Sequence, residues 1–203
     1  MNDITSPQRR TFLKQTASAS GFALGLTLLP SISPVAAEAT QTETLAPNVF
    51  VEFDANGQLF VTCHRSEMGQ QIRTSLAQII ADELDADWER VTVVQATGHP
   101  KYGDQNTDGS RSVRRNLERL RIAGATAATM LREAAARGWN VSPDDCINRD
   151  HGVVHTPSGN RVDYKSLIDV AATLPVPEPD SVSLKPRSRW KYIGKVMTSV
   201  DID

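Results

Sequence analysis

An α+β domain is what this sequence predicts: a mixed β-sheet with two main amphipathic helices packed on it. Three observations carry that expectation. Short apolar runs with strand character lie at 49–53, 59–63 and 90–96. Apolar residues recur at helical spacing over 72–84 and again over 113–138. With 203 residues, 39% hydrophobic and 23% charged, the composition suits one domain with its own core.

Taken in order, the chain opens on a targeting pattern. Residues 8–14 read QRRTFLK, an apolar run follows at 22–29, and small residues lead up to Ala37 and Ala39. Paired arginines, a short weakly hydrophobic run and a small-residue end predict a twin-arginine signal peptide over 1–39, and hence periplasmic export of a folded protein. The run is shorter than the about twenty apolar residues that a membrane span wants. An uncleaved leader acting as an anchor is the alternative. Residues 40–48 are polar and patternless, and read as a linker.

The domain proper is expected over 49–175. Val51 and Phe53, then Asp54-Ala55-Asn56-Gly57, then Leu59 and Val61 predict two strands joined by a turn. A helix follows to about Leu84, its inward stripe being Ile72, Leu76, Ile79, Ile80 and Leu84, and residues 90–96 predict the next strand. After a long polar loop, residues 113–138 form the longest helical pattern. Val113, Leu117, Leu120, Gly124, Ala127, Ala128, Leu131 and Ala135 share its inner face, and small residues over 123–128 allow a neighbour to approach closely. A short hairpin is expected at 146–148 and 153–155, and a last helix at 164–174 with Leu167, Ile168, Val170 and Ala171 inward. Residues 176–203 are proline-rich and without periodicity, an extended connector that makes no core of its own.

Two turns carry the candidate chemistry. Over 67–74 (EMGQQIRT) a strand pattern passes through Gly69 into a helix start, where backbone N–H groups and the helix dipole favour an anion such as phosphate. Gln70 adds an amide that both donates and accepts. An ordinary strand-to-helix turn explains the same residues. Gly109, Ser110, Arg111 and Ser112 mark a second glycine-led helix start, where hydroxyls, N–H groups and a guanidinium suit phosphate, and where Ser110 or Ser112 could equally be a plain N-cap. Asp104, Asn106, Asp108 and Gly109 open like a calcium loop, but its closing acidic position is Arg115, so no calcium site is expected.

Several function classes drop out. A net charge of −2 leaves no electrostatic footprint for nucleic acid. Two cysteines, Cys63 and Cys146, cannot hold an iron–sulfur cluster or a thiolate zinc site. They allow one disulfide pairing, although Cys63 in its apolar strand reads better as a buried thiol. His151 and His155, four apart on a strand, would lie about 13 Å apart and make no zinc pair.

The segment EMGQQIRT, the helix after it, the SRSVR run at 110–114 and the closing IGK-x-x-x-x-VD pattern (Ile193, Gly194, Lys195, Val200, Asp201) give the chain its likeness. Together with the leader they resemble, in order, the molybdenum hydroxylases of the xanthine dehydrogenase and aldehyde oxidase family. The narrower likeness is to the N-terminal part of the large subunit of isoquinoline 1-oxidoreductase and related membrane-bound aldehyde dehydrogenases. The resemblance implies a molybdopterin-binding half-domain of an oxidoreductase that hydroxylates N-heterocycles or oxidises aldehydes. Its molybdenum–molybdopterin cofactor, in a cytosine dinucleotide form, would meet Gly69, Gln70, Gly109, Ser110, Arg111 and Ser112.

The same resemblance implies partners: the remaining part of the large subunit, a small iron–sulfur subunit, and a cytochrome electron acceptor. Membrane association would come through the leader or these partners. No catalytic residue and no metal ligand is expected from this chain, because the family's catalytic glutamate lies further along the large subunit. The chain departs from the family pattern at Gln71, where a second glycine is usual, and at Asp108, which adds negative charge beside the site. A docking or assembly module, or a truncated product that needs a separate chain for the rest of the site, is the alternative function.

Overall fold

The structure, a computed structural model, describes residues 44–202. The leader expected over 1–39 lies outside the described residues. Four strands, β1 (Leu45–Asn48), β2 (Val51–Phe53), β3 (Leu59–Cys63) and β4 (Val91–Gln95), form one sheet in that order. β1, β2 and β3 pair antiparallel, while β4 lies parallel to β3, so the sheet is mixed. The parallel step needs a crossover. Helix α1 (Ile72–Glu83) supplies it.

The start of the domain is a correction. Leu45 and the residues after it, read as the end of a linker, form β1, and Leu45 is buried in the core. One apolar residue in a polar run gives no period to read, and only pairing with β2 reveals the strand. The hairpin is as expected: Phe53 pairs with Leu59 around the Asp54–Gly57 turn, and Val51, Phe53, Leu59, Val61 and Cys63 are all buried. So is the α1 stripe, from Ile72 to Leu84.

Helix α2 (Leu117–Trp139) packs against α1. The small residues do what their pattern implied. A Cβ on Gly124 would meet Ile80 O and Glu83 Cβ at 2.9 Å each, so the two helix backbones approach too closely for a side chain there. At its N-terminal end the expectation fails. The helix begins at Leu117 and not at 113, and Val113 is exposed.

A second sheet of three antiparallel strands, β5 (Cys146–Asn148), β6 (Gly152–His155) and β7 (Arg161–Asp163), follows. The hairpin was legible, whereas the three-residue β7 was too short for alternation to show. Helix α3 (Ile168–Ala172) buries Ile168 and Ala171, but Val170 is exposed, because the segment opens as a 3₁₀ turn at Tyr164–Ser166 and the shift in winding rotates it outward. Tyr164 joins the layers: its hydroxyl donates to Leu84 O at 2.6 Å and accepts from Asn148 Nδ2 at 2.9 Å, and its ring meets Phe53 edge-on.

The C-terminal segment is irregular, with 3₁₀ turns at Pro179–Ser181 and Arg187–Arg189, and it is not free. Asp82 on α1 accepts N–H bonds from Lys191, Tyr192 and Ile193 at 2.8–3.1 Å and pairs with the Lys185 ammonium at 3.0 Å. Near its end, Asp201 pairs with Arg73 at 2.7 Å and the Val200 N–H bonds Thr74. Cys63 and Cys146 are both buried free thiols. Among the described residues no helix is long and apolar enough to cross a membrane.

Candidate functional site

Beyond β3 the chain runs through His64 and Arg65, both buried, into the Gly69 turn. Arg65 ties this region to the long loop: its guanidinium donates to Asn106 O and lies 3.6 Å from Asp104. Thr107 adds a second clasp, accepting from Ser66 N at 2.8 Å and donating to Ser66 O at 3.2 Å. These bonds bring two turns that are about forty residues apart in sequence face to face across a cleft of about 360 Å³.

The cleft is lined by Met68, Gln70 and Ile72 from one turn and by Thr107, Asp108, Gly109, Ser110, Ser112 and Val113 from the other. Of the six predicted site residues, Gln70, Gly109, Ser110 and Ser112 therefore meet there. Gly69 and Arg111 are not among the lining residues.

The two turns differ in their chemistry. At α1 the expected phosphate seat is taken by the protein's own carboxylate. Glu67 accepts from the N–H groups of Gly69 at 2.8 Å, Gln71 at 3.0 Å, Met68 at 3.1 Å and Arg73 at 3.2 Å. Partial burial pushes its pKa up, but the four backbone donors outweigh that and hold it below the ordinary glutamate value. The Gln70 amide is folded onto its own loop, accepting from Met68 N and donating to Ser66 O. Gln71, where a glycine was the pattern, takes a left-handed conformation with φ 61°.

The second turn is not a helix start, which corrects the expectation for Gly109, Ser110, Arg111 and Ser112. Gly109 and Ser110 have φ of 52° and 51°, and Arg111 N bonds Asp108 O at 3.2 Å, the positive-φ pair of a tight reversing turn. An irregular wound stretch separates them from α2, whose N-cap is Asn116, so the α2 dipole, which fades within a turn, does not reach them. Neither serine caps the helix. Arg111 is paired with Asp108, leaving that acid's charge largely compensated.

Among the described residues, the backbone N–H groups of Gln70, Ile72, Gly109, Ser110 and Ser112 have no protein acceptor. A Cβ added at Gly69 or Gly109 would meet nothing within 4 Å, so both glycines present bare backbone to open space. Behind the turn, His64 Nε2 lies 3.1 Å from Asn116 Oδ1, and Asn116 Nδ2 donates to Ser112 O at 2.7 Å, a buried relay that fixes Ser112. Burial lowers the His64 pKa, partly offset by its bond to Asn116. Sequence reasoning missed Thr107, Arg65 and His64. Two charged or titratable residues just past a buried strand were the signal available.

His151 is buried, accepting from Asp87 N and bonding Gly57 O at 2.7 Å, while His155 bonds Ser158. No cluster of three or more histidine, cysteine or acidic residues with metal-binding geometry occurs among the described residues.

A family model described as a molybdopterin cofactor-binding domain matches residues 5–200. The chain belongs to that family. It is 34% identical over 178 residues to the beta subunit of isoquinoline 1-oxidoreductase from Brevundimonas diminuta, covering 84% of this chain and 22% of that protein. A membrane-bound aldehyde dehydrogenase of Gluconacetobacter polyoxogenes, whose name carries pyrroloquinoline quinone, is 32% identical over 77% of this chain and 20% of its own length. One subunit of the nicotinate dehydrogenase of Pseudomonas putida is 27% identical over 86% of this chain and 15% of its own. This molybdopterin domain thus spans about a fifth of the length of the curated relatives that it matches.

Proposed function

We propose that this chain forms one wall of the molybdopterin site of a molybdenum-dependent oxidoreductase acting on N-heterocycles or aldehydes. The observation that carries the reading is the cleft between the Gly69 and Gly109 turns, with Gln70, Gly109, Ser110 and Ser112 in its lining and, on both sides, backbone N–H groups that have no acceptor among the described residues. Family membership supplies the cofactor class. The relatives named for isoquinoline, nicotinate and aldehyde chemistry supply the substrate classes.

The residues fit a pterin-type group on the Gly109 side. There the bare backbone of Gly109 and the N–H groups of Ser110 and Ser112 would hold acceptor edges, and the Ser110 hydroxyl would add a donor or an acceptor. They do not fit a phosphate at the α1 terminus, because the Glu67 carboxylate already gathers those N–H groups and would repel one. The phosphate or pyrophosphate of a cytosine dinucleotide form would therefore lie along the second turn. When bound, the molybdenum cofactor supplies two-electron oxidation. This chain's share is to bind and orient: the Arg65 and Thr107 clasps keep the two turns at fixed separation, and the His64–Asn116 relay holds Ser112. The remaining large-subunit portion, an iron–sulfur subunit and a cytochrome acceptor complete the proposed path for substrate and electrons. Export by the twin-arginine route to the periplasm, with the cofactor already inserted, completes the reading.

The test is to purify the chain with and without a coexpressed remaining portion of the large subunit and to measure molybdenum and pterin by mass spectrometry. Cofactor retained only with both portions, and reduced by Gly109→Val, is the expected result. Retention indifferent to Gly109→Val would overturn the assignment of the cleft, and no cofactor in either preparation would favour a docking or assembly module. Replacing Arg9 and Arg10 by lysine should abolish export of a folded reporter fused to residues 1–39, and unchanged export would refute the leader.

A further inference from the structure

A second cavity, of about 200 Å³, shares no lining residue with the cleft. Its floor is α2 and β5, with Ala128, Arg132 and Asn148. Its roof is the C-terminal segment, from Ser183 to Pro186 and Arg189. At this size it is smaller than the several hundred Å³ that drug-sized ligands occupy, and suits a small ion.

The guanidinium of Arg132 is the unexplained group. Its Nη2 donates to Thr129 Oγ1 at 3.1 Å, but its buried Nε has no acceptor, and among the described residues no carboxylate lies within ion-pair distance of it. Burial lowers its pKa, and the charges of Tyr164 and Asp144, which pull the other way, do not make a contact pair with it. The two acids of the lining are already engaged. Glu83 accepts from Arg121 at 2.6 Å and from Lys185 N at 2.8 Å, and Asp85 accepts from the Lys185 ammonium at 3.3 Å and from Asp150 N at 3.2 Å. Arg189, on the roof, has no ion-pair partner among the described residues either. A half-buried cation without a counter-charge is costly, and a second cation beside it raises that cost.

We propose that Arg132 and Arg189 form a binding site for a small oxyanion, a phosphate or a carboxylate, held between α2 and the C-terminal segment. The oxygens of such an ion match the forked N–H donors of the two guanidinium groups that line the cavity. Asn148 stands at the rim, but its amide already serves Ala128 O and Tyr164. The recognition is therefore arginine-centred. Because the roof belongs to the segment anchored by Asp82, binding also braces that segment against α2.

The test uses the full chain in zwitterionic buffer at ionic strength held constant with chloride. Melting temperature is followed against increasing inorganic phosphate, against succinate, and against a short glutamate-containing peptide amide. A saturable rise is expected, weakened about tenfold or more by Arg132→Gln and by Arg189→Gln. A rise with phosphate alone assigns a free phosphate, and a rise with succinate or the peptide assigns a carboxylate, supplied free or by another chain. No saturable rise with any of the three, or rises equal in the wild type and both variants, would overturn the proposal. Arg132→Lys, which keeps the charge but loses the fork, serves if Arg132→Gln does not fold, and it should weaken binding in the same direction.

Discussion

Two carboxylates at opposite ends of α1 do the same chemistry for different ends. Glu67, before the helix, gathers four backbone N–H groups from its own loop, all within six residues. Asp82, in the last turn and fully buried, gathers three from residues about 110 positions away, together with the Lys185 ammonium. The first shapes a turn and closes an anion seat; the second fastens the C-terminal segment to the core. The difference lies in solvent. A half-exposed carboxylate loses little hydration and gains a local fold, whereas a buried one must have every lone pair answered or it costs several kcal/mol.

The largest test of that contrast is Asp82→Ala. It strands the N–H groups of Lys191, Tyr192 and Ile193 and leaves the Lys185 ammonium with Asp85 as its one carboxylate partner, and should cost about 3–5 kcal/mol in urea unfolding. Protease should then cut within 176–202 before the remainder unfolds. A cost under about 1 kcal/mol would mean that the segment is held by its apolar contacts instead.

Glu67→Ala should cost less, about 1–2 kcal/mol, in line with the loss of a helix-terminal acceptor, and should leave the C-terminal segment protected. It also reopens the α1 seat. Phosphate affinity of the Gly69 turn should therefore rise in the variant, as read by phosphorus NMR titration, and unchanged affinity would remove the claim that Glu67 blocks the seat.

Acid separates these local bonds from the buried histidines. His64 and His151 have pKa values lowered by burial, so the unfolded chain takes up protons that the folded one refuses. Their contribution is full above the ordinary histidine value of about 6.5 and is lost as pH falls below it. Glu67, whose pKa is also lowered, contributes above the ordinary glutamate value of about 4.3 and is lost only as pH falls through its folded value. Two acid steps are expected in stability against pH; Asp104 and Asp163, whose pKa values are lowered too, share the lower one, so Glu67→Ala should shrink that step and leave the upper one unchanged.

The smallest effect is at Gln71. Its left-handed backbone carries a penalty that glycine lacks, so Gln71→Gly should stabilise by up to about 1 kcal/mol, after the greater entropy that glycine loses. No gain in thermal melting would show that the exposed Gln71 side chain makes compensating contacts.

Most of the fold was legible because its signals are local. The stripe from Ile72 to Leu84, the hairpin around Gly57 and the small residues around Gly124 each follow from a period or a turn chemistry confined to a few residues. So did the candidate cleft in part, since Gly69 and Gly109 mark backbone that no other residue takes easily. What failed was positional. The start of α2 slipped from 113 to 117 because apolar period continues through a wound stretch that the helix does not include, and β1 and β7 are strands only because a partner pairs with them.

The sequence by itself determined most of the elements, the family-like motifs and the two glycine-led turns, since dihedral preference and periodicity act between neighbours. Only the tertiary structure decided that Arg65 and Thr107 draw those turns together, that Glu67 fills one of them, that Asp82 receives the C-terminal segment, and that Arg132 has no counter-charge among the described residues. Each of these depends on which buried polar group finds which partner across the fold, and burial with satisfaction of every polar atom is a property of the packed whole.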